Sequence, residues 1–173
     1  MTIPKIQVVE GDITQIPADA LMTAINSERM WYGGIDRAIQ RVAGDMYHSQ
    51  ANKISCLNNL QTIIAKGTGK HRGQFRDVVF VVDDVISSLN KVIYNGLEAA
   101  NTQGYESLLI PTIRMGVASN IMENTPEEAI EEMINGLNNF KDKYSTKTNL
   151  SDIKIVVYKN PELVKNIIQA IKK

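Results

Sequence analysis

The chain has 173 residues, of which 43% are apolar and 22% charged, so its length and composition fit one folded domain rather than a disordered segment. Basic and acidic residues both total 19, and this zero net charge argues against a protein that binds nucleic acid through bulk charge. No apolar run approaches the ~18 residues that span a membrane, and the first residues lack a signal-peptide pattern, so we expect no membrane partner.

Strand-like and helix-like segments alternate along the chain, which predicts an α/β fold with a largely parallel sheet. In the first half the predicted elements are, in order, strands at Lys5–Glu10 and Ala18–Ala24, a helix opened by Gly33-Gly34 and ended by Gly44, a helix over Asp45–Leu57, and strands at Leu60–Ala65 and Asp77–Val82. In the second half they are a helix over Ser88–Ala100 with Gly104 as its stop signal, a strand at Ser107–Ile110, a helix from Thr125 to about Phe140, a strand at Ile153–Tyr158 and a helix from Asn160 to Ile171. No repeat or low-complexity linker interrupts this order, so we predict a single domain over residues 1–173.

The clearest local signal precedes the fourth helix, at residues 125–128. Thr125 can cap the helix, Pro126 suits its first position, and Glu128 completes a capping box. The pair Asn160-Pro161 is a similar start signal for the last helix.

The single cysteine, Cys56, cannot form an internal disulfide, which favours a reducing compartment and a cytoplasmic location. With only two histidines beside it, a structural zinc site lacks its usual ligands, so we expect no metal. His48 and Cys56 could suggest a thiol nucleophile. However, they lie two turns apart on one predicted helix, so a packed cysteine is the favoured interpretation.

Ligands of open α/β sheets bind at the carboxyl ends of the strands, and several loops of this chain follow predicted strands there. In the first such loop, Gly11–Thr14, the carboxylate of Asp12 can accept a hydrogen bond from an exocyclic amine such as that of adenine. Its alternative role is to close a turn or cap the next segment. Tyr158, at the end of the last strand, can stack on a base or simply pack at the rim.

The second loop runs from residue 24 to residue 36 and leads into a helix. Its Gly33-Gly34 pair lets the backbone approach a ligand, and the helix N-terminus offers free N–H groups to an anion. Asp36 in the first turn can serve the site or only compensate the helix dipole. Asn26 can bond a sugar hydroxyl or shape a turn. The adjacent aromatic residues Trp31 and Tyr32 can line this site or plug it.

The third loop follows Pro111 and contains Arg114 and Gly116. Its backbone can cradle a phosphate, and Arg114 can add charge-assisted contacts to a pyrophosphate. The alternative is a solvated arginine in an ordinary turn. The glycine-rich Gly67–Gly73 segment, by contrast, has the wrong spacing for a Walker loop and precedes a strand, so we interpret it as a connection.

Taken in order, these segments resemble the macro domain family over nearly the whole chain. The resembling motifs are VVEGDIT at residues 8–14, DALMTAINS at 19–27 against the family's DAIVNAANS, GGIDRAI at 33–39 against GGVDGAI, LLIPTIRMGV at 108–117 against IAFPAISTGV, and VVY at 156–158. The resemblance implies a three-layer α/β/α fold with a central mixed, largely parallel sheet. It also implies binding of ADP-ribose or an ADP-ribosylated substrate, without a cofactor.

Site roles follow from the resemblance residue by residue. Asp12 is implied to bind the adenine amine, the backbone of Ile13 to contact the adenine ring and Tyr158 to stack near it. The diphosphate and distal ribose are implied to lie between two walls, formed by Gly33, Gly34 and Ile35 on one side and by Arg114, Met115, Gly116, Val117 and Ala118 on the other. Asn26 is implied to bind the distal ribose. In hydrolytic members an asparagine and an aspartate ten residues apart orient ribose and water, a spacing that Asn26 and Asp36 keep.

Several positions depart from the family pattern. Thr23 replaces the first asparagine of the family's NAAN, Trp31 and Tyr32 replace two glycines, and Arg114-Met115 replace Ser-Thr or a similar pair. The adenine end is therefore well kept and the distal end is altered. Three interpretations stay open: an ADP-ribose-binding domain that hydrolyses ADP-ribosyl groups or ADP-ribose-1″-phosphate, a reader without catalysis, and a degenerate fold that serves as an interaction module.

Overall fold

The computed structural model describes residues 3–29, 34–116, 121–144 and 146–173. Within these ranges six strands form one sheet: β1 (Lys5–Glu10), β2 (Ala18–Ile25), β3 (Thr62–Ala65), β4 (Phe75–Val82), β5 (Ser107–Pro111) and β6 (Asp152–Val157). The α-helices are α1 (Gly34–Ala43), α2 (His48–Asn52), α3 (Leu89–Gln103), α4 (Pro126–Tyr144) and α5 (Pro161–Ile171). A single 3₁₀ turn at Ile13–Gln15 follows β1.

The strand order across the sheet is β1-β6-β5-β2-β4-β3. All neighbouring pairs are parallel except β3 and β4, which run antiparallel. The predicted mixed, largely parallel sheet is therefore confirmed. Because β1, β6, β5 and β2 are parallel neighbours, the loops after these four strands open at the same edge of the sheet.

Helices cover both faces of the sheet, because alternate residues of the central strands point to opposite sides. On β2, Met22 belongs to the core beneath α3 and α4, whereas Leu21 and Ile25 belong to the core beneath α1 and α2. Both β2 and β4 are almost wholly buried, as expected for parallel strands covered on both faces. The predicted three-layer α/β/α arrangement is confirmed.

Most helix ends follow the predicted chemistry. Gly44 after α1 and Gly104 after α3 have φ values of 60° and 85°, a left-handed backbone that glycine adopts at little cost. The Glu128 N–H donates to Thr125 Oγ1 over 3.1 Å at the start of α4. In a capping box the Glu128 carboxylate would accept from the Thr125 N–H. Here it accepts instead from the N–H of the preceding residue, Asn124. Asn160 caps α5 by accepting from the Leu163 N–H.

The predicted helix over Asp45–Leu57 is wrong, since only His48–Asn52 is α-helical there. Beyond Asn52 the chain is rich in serine and asparagine, whose side chains bond nearby backbone and compete with helix formation. Just after this segment the Asn58 N–H donates to the side chain of Gln61, so the chain there is no longer helical. Cys56 in this segment is exposed, so its interpretation as a packed cysteine is also wrong.

We expect Gly136→Ala to lower the free energy of unfolding by about 1–2 kcal/mol, measured by urea denaturation. A Cβ at Gly136 on α4 would lie 2.7 Å from the Asn90 carbonyl oxygen and 2.8 Å from Ile93 Cβ, both on α3. This clash outweighs the gain of up to about 1 kcal/mol in helix propensity. The control is Asn138→Ala on the exposed side of α4, and equal stability of the two variants would contradict close α3–α4 packing.

Candidate functional site

A cavity of about 670 Å³ lies at the carboxyl edge of the sheet, a volume suited to a small-molecule ligand. Its walls come from the end of β2, from the chain just after β1, β4, β5 and β6, and from α1. The four strand ends that the sequence predicted, those of β1, β2, β5 and β6, therefore converge on one cleft. Among the predicted residues, Asp12, Ile13, Gly34, Ile35, Asp36, Arg114, Met115, Gly116 and Tyr158 line this cavity. Gly33, Val117 and Ala118, together with Trp31 and Tyr32, lie outside the described residues.

Asp12 caps a turn, which is one of the two roles that the sequence left open, and it also lines the cavity. Its Oδ1 accepts from the Thr14 N–H over 2.9 Å and from the Thr14 hydroxyl over 2.7 Å, so it caps the 3₁₀ turn. The same exposed side chain lines the cavity. The cap fixes the orientation of the carboxylate at the rim, while Ile13 beside it is buried and anchors the turn in the core.

Tyr158 follows β6 directly and lines the same cavity as Asp12. Its side chain is 64% exposed, and the Lys159 ammonium lies 5.2 Å from the ring centroid. The ring is therefore not packed into the core. An exposed aromatic side chain at a cavity wall is available for stacking against a planar ligand.

Asp36 lies in the first turn of α1 and is only 2% exposed, so it does more than compensate the helix dipole. Its Oδ1 lies 2.9 Å from Nε2 of His48, which is 1% exposed. The imidazole also packs edge-on against Phe80, with ring centroids 5.0 Å apart. The carboxylate is thus held at the cavity wall by a buried histidine that sequence reasoning missed. The two residues lie 12 positions apart on different helices, so no local spacing in the sequence signals the pair.

Asn26 follows β2 and is half-buried, but it is not among the cavity-lining residues. Its carbonyl oxygen accepts from the Arg29 N–H over 3.0 Å, which closes the turn after the strand. The expected joint action of Asn26 and Asp36 on one ligand therefore stays a prediction. Thr23, which replaces an asparagine of the family motif, does line the cavity.

Arg114 lines the cavity, but the expected contact of its guanidinium with a pyrophosphate is corrected by the structure. Nε and one terminal nitrogen donate to the two carboxylate oxygens of Asp83, over 3.1 and 2.7 Å. The same terminal nitrogen also donates to the Ser87 carbonyl, and the other donates to both oxygens of Glu123, over 2.9 and 3.0 Å. These contacts use all five N–H donors of the arginine, so none is left for a ligand.

The Arg114 cluster is buried and has a structural role. The side chains of Arg114, Asp83 and Glu123 are 1%, 2% and 6% exposed. Burial acts to lower the pKa of the Arg114 guanidinium, but the hydrogen bonds and charges of Asp83 and Glu123 raise it above its usual value. Glu123 also accepts from the Leu89 N–H and so caps α3, because Ser88 makes no side-chain cap there.

Two further cavity-lining residues were not predicted from sequence, namely Arg37 and Arg41 of α1. Both are exposed arginines on the helix that carries Asp36. Their spacing of four residues places them on one helix face, which was the available signal. On the opposite wall, Met115 and Gly116 follow β5, and a Cβ at Gly116 would meet only open space.

Within the described ranges, no group of three or more histidine, cysteine, aspartate or glutamate side chains is placed to hold a metal ion. No helix in that same part of the chain is long and apolar enough to cross a membrane.

Comparison with known proteins shows similarity to enzymes that act on ADP-ribose derivatives, although no protein-family model matches the chain. The chain is 31% identical to an O-acetyl-ADP-ribose deacetylase of Escherichia fergusonii over 122 residues, covering 65% of this chain and 69% of the relative. A deacetylase of the same name from Citrobacter rodentium is 30% identical over 146 residues, covering 73% and 80%. The mouse ADP-ribose glycohydrolase MACROD1 is 27% identical over 148 residues, and the match spans 80% of this chain but only 45% of that protein.

Solved structures with the same fold include two macrodomains. A Trypanosoma brucei macrodomain in complex with ADP-ribose superposes with a TM-score of 0.79 at 20% identity, over 96% of this chain and 68% of that one. An Oceanobacillus iheyensis macrodomain with ADP gives 0.74 at 20% identity, over 98% and 91%. At this identity the likeness concerns the fold.

Proposed function

This chain is a member of the macro domain family, and on that premise we propose that its cleft binds ADP-ribose or a derivative of it. The observation that carries the proposal is the meeting of Asp12 and Tyr158 at one cavity. A fixed carboxylate acceptor suits the exocyclic amine of an adenine, and an exposed aromatic ring at the same cavity suits the face of the adenine ring. The bound nucleotides of the related macrodomain structures support this assignment.

The remaining roles follow from the walls of the cleft. Ile13 contacts the adenine ring through its backbone. The N-terminus of α1, with Gly34 and Ile35, faces the diphosphate through its free N–H groups and its positive dipole end. Met115 and Gly116 form the opposite wall, where the open space at Gly116 lets the ligand approach the backbone.

Hydrolysis of an ADP-ribosyl ester or glycoside is proposed with Asp36 as the group that orients and polarises the attacking water. Its carboxylate lines the cavity and is held in place by His48, which supports a role in positioning a water. The names of the relatives, deacetylase and glycohydrolase, support this reaction class. Asn26 is the proposed partner for the distal ribose.

A second candidate is a reader that binds ADP-ribose without cleaving it. It is favoured by the position of Asn26, which is not among the cavity-lining residues. A domain that lacks one of the two orienting groups can still bind, because binding tolerates small misplacements that catalysis does not.

We also propose that the chain acts as one domain in the cytoplasm. The described strands form one continuous sheet, which supports a single folding unit. Cys56 is exposed and unpaired with another cysteine, which suits a reducing compartment.

Asp12→Asn is expected to weaken ADP-ribose binding about tenfold to a hundredfold in calorimetric titration. The amide oxygen of asparagine can still accept from Thr14 and keep the cap, whereas its NH₂ group cannot accept from the adenine amine. We expect the unaltered chain to bind at micromolar concentration, equivalent to about −8 kcal/mol.

The control for this titration is Glu10→Gln, which removes one negative charge from an exposed position outside the cavity lining. It should bind like the unaltered chain. Absence of heat at millimolar ADP-ribose with the unaltered chain would refute the proposed function.

A further inference from the structure

The two arginines of α1 form a cationic strip along one wall of the cleft. Arg37 and Arg41 both line the cavity and both are exposed. Neither guanidinium forms an ion pair or a side-chain hydrogen bond within the described residues. Two guanidinium groups that face a cavity without a carboxylate partner are available to an anionic ligand.

The helix geometry directs this strip toward the predicted diphosphate position. Residues four apart lie one above the other on the same helix face. Long side chains on a helix lean toward its N-terminus, so Arg37 reaches back toward Gly34 and Arg41 toward Arg37. Helix α1 also contacts the 3₁₀ turn that follows Asp12. The strip therefore lies on a helix that begins at the proposed diphosphate position and touches the turn at the proposed adenine position.

The other charged residues of the cleft also favour such a role for the α1 arginines. Arg114 is the only other cation among the described cavity-lining residues, and its donors are consumed by Asp83, Ser87 and Glu123. Apart from that cluster, the other acidic residues of the lining are Asp12 and Asp36. The α1 arginines therefore add positive charge to the free N–H groups at the start of α1, where a doubly charged diphosphate is proposed to bind.

We propose that Arg37 and Arg41 bind the diphosphate of the nucleotide and thereby determine a preference for phosphate-bearing ligands over nucleosides. The inference rests on the proposed function and adds to it the residues that neutralise the ligand's charge. Arg37 stands where the family motif GGVDGAI has glycine, so this contact is a feature of this chain. The strip takes the place that sequence analysis gave to Arg114.

The test is a set of titrations with adenosine, ADP and ADP-ribose. Binding is monitored by the NMR chemical shifts of the backbone amides, so that weak binding is also measured. The proteins are the unaltered chain, Arg37→Gln, Arg41→Gln and the double variant. We expect each single variant to bind ADP and ADP-ribose about tenfold more weakly, and the double variant about thirtyfold to a hundredfold more weakly. Adenosine should bind equally to all four, and added salt should weaken ADP binding less in the double variant.

The matched control is Lys91→Gln, which removes one positive charge from an exposed position of α3 that does not line this cavity. It should leave all three affinities unchanged. Unchanged ADP affinity in the double variant would overturn the inference and leave the proposed function intact. Equal losses for adenosine and ADP would also overturn it, because they would indicate a damaged cleft. Failure of the unaltered chain to bind ADP or ADP-ribose would overturn both proposals.

Discussion

Arg114→Met is expected to lower the free energy of unfolding by about 3–5 kcal/mol, measured by urea denaturation. Methionine has a similar length but leaves the carboxylates of Asp83 and Glu123 buried without their shared cation. Desolvated charges that lose their partner cost far more than the ion pair itself contributes. Because Glu123 also caps α3, the N-terminus of that helix should be destabilised as well.

Two further variants distinguish the effect of the lost charge on stability from the effect of the lost packing and hydrogen bonds. Arg114→Lys keeps the positive charge but lacks the planar five-donor group, so we expect an intermediate loss of stability. Arg114→Met combined with Asp83→Asn and Glu123→Gln removes the uncompensated charges and should recover part of the loss. A loss below about 1 kcal/mol in the single methionine variant would contradict the buried, structural role of Arg114.

Asp36→Asn is expected to lower turnover of O-acetyl-ADP-ribose, or of a mono-ADP-ribosylated protein, by about 10²- to 10⁴-fold. The amide can still accept from His48 through its oxygen, so the side chain keeps its place, but it cannot take a proton from water. Affinity for ADP-ribose should change little, because the proposed role concerns the reaction and not the ground state. The rate of product formation at saturating substrate gives the turnover number directly.

The control is Asp45→Asn, an exposed position beyond the end of α1 that does not line the cavity. It should retain full turnover. Turnover that is unaffected by Asp36→Asn would remove this residue from the mechanism. Absence of turnover in the unaltered chain, with ADP-ribose binding intact, would identify the protein as a reader.

Local patterns predicted most of the fold. Strand β1 begins and ends where the apolar run of residues 5–10 predicted, and the caps at Thr125 and Asn160 mark the starts of α4 and α5. These features depend on side chains close together in sequence, which is why a single sequence reveals them. The segment after Gly44 was misjudged because a stretch rich in serine and asparagine, residue types that compete with helix formation, was predicted as one continuous helix.

The site was predicted less completely because its decisive contacts are distant in sequence. Asp83 lies 31 residues before Arg114, so nothing near the arginine shows that its guanidinium is already bonded. His48 lies 12 residues after Asp36, on another helix. Spacing shows which residues can face a strand end, whereas the partner that each side chain meets depends on how the layers pack.

The adenine end of the cleft depends on the pairing of β1 with β6, two strands that lie far apart in the chain. The register of this pairing joins Lys5 to Asp152, and Asp12 and Tyr158 follow directly from these two strands. Contacts between such distant parts of a chain form slowly during folding. A nascent chain therefore offers no adenine site until its last strand has been synthesised and docked. A ligand that touches both residues would in turn hold the edge strand β1 against local opening, and so protect its amides from hydrogen exchange.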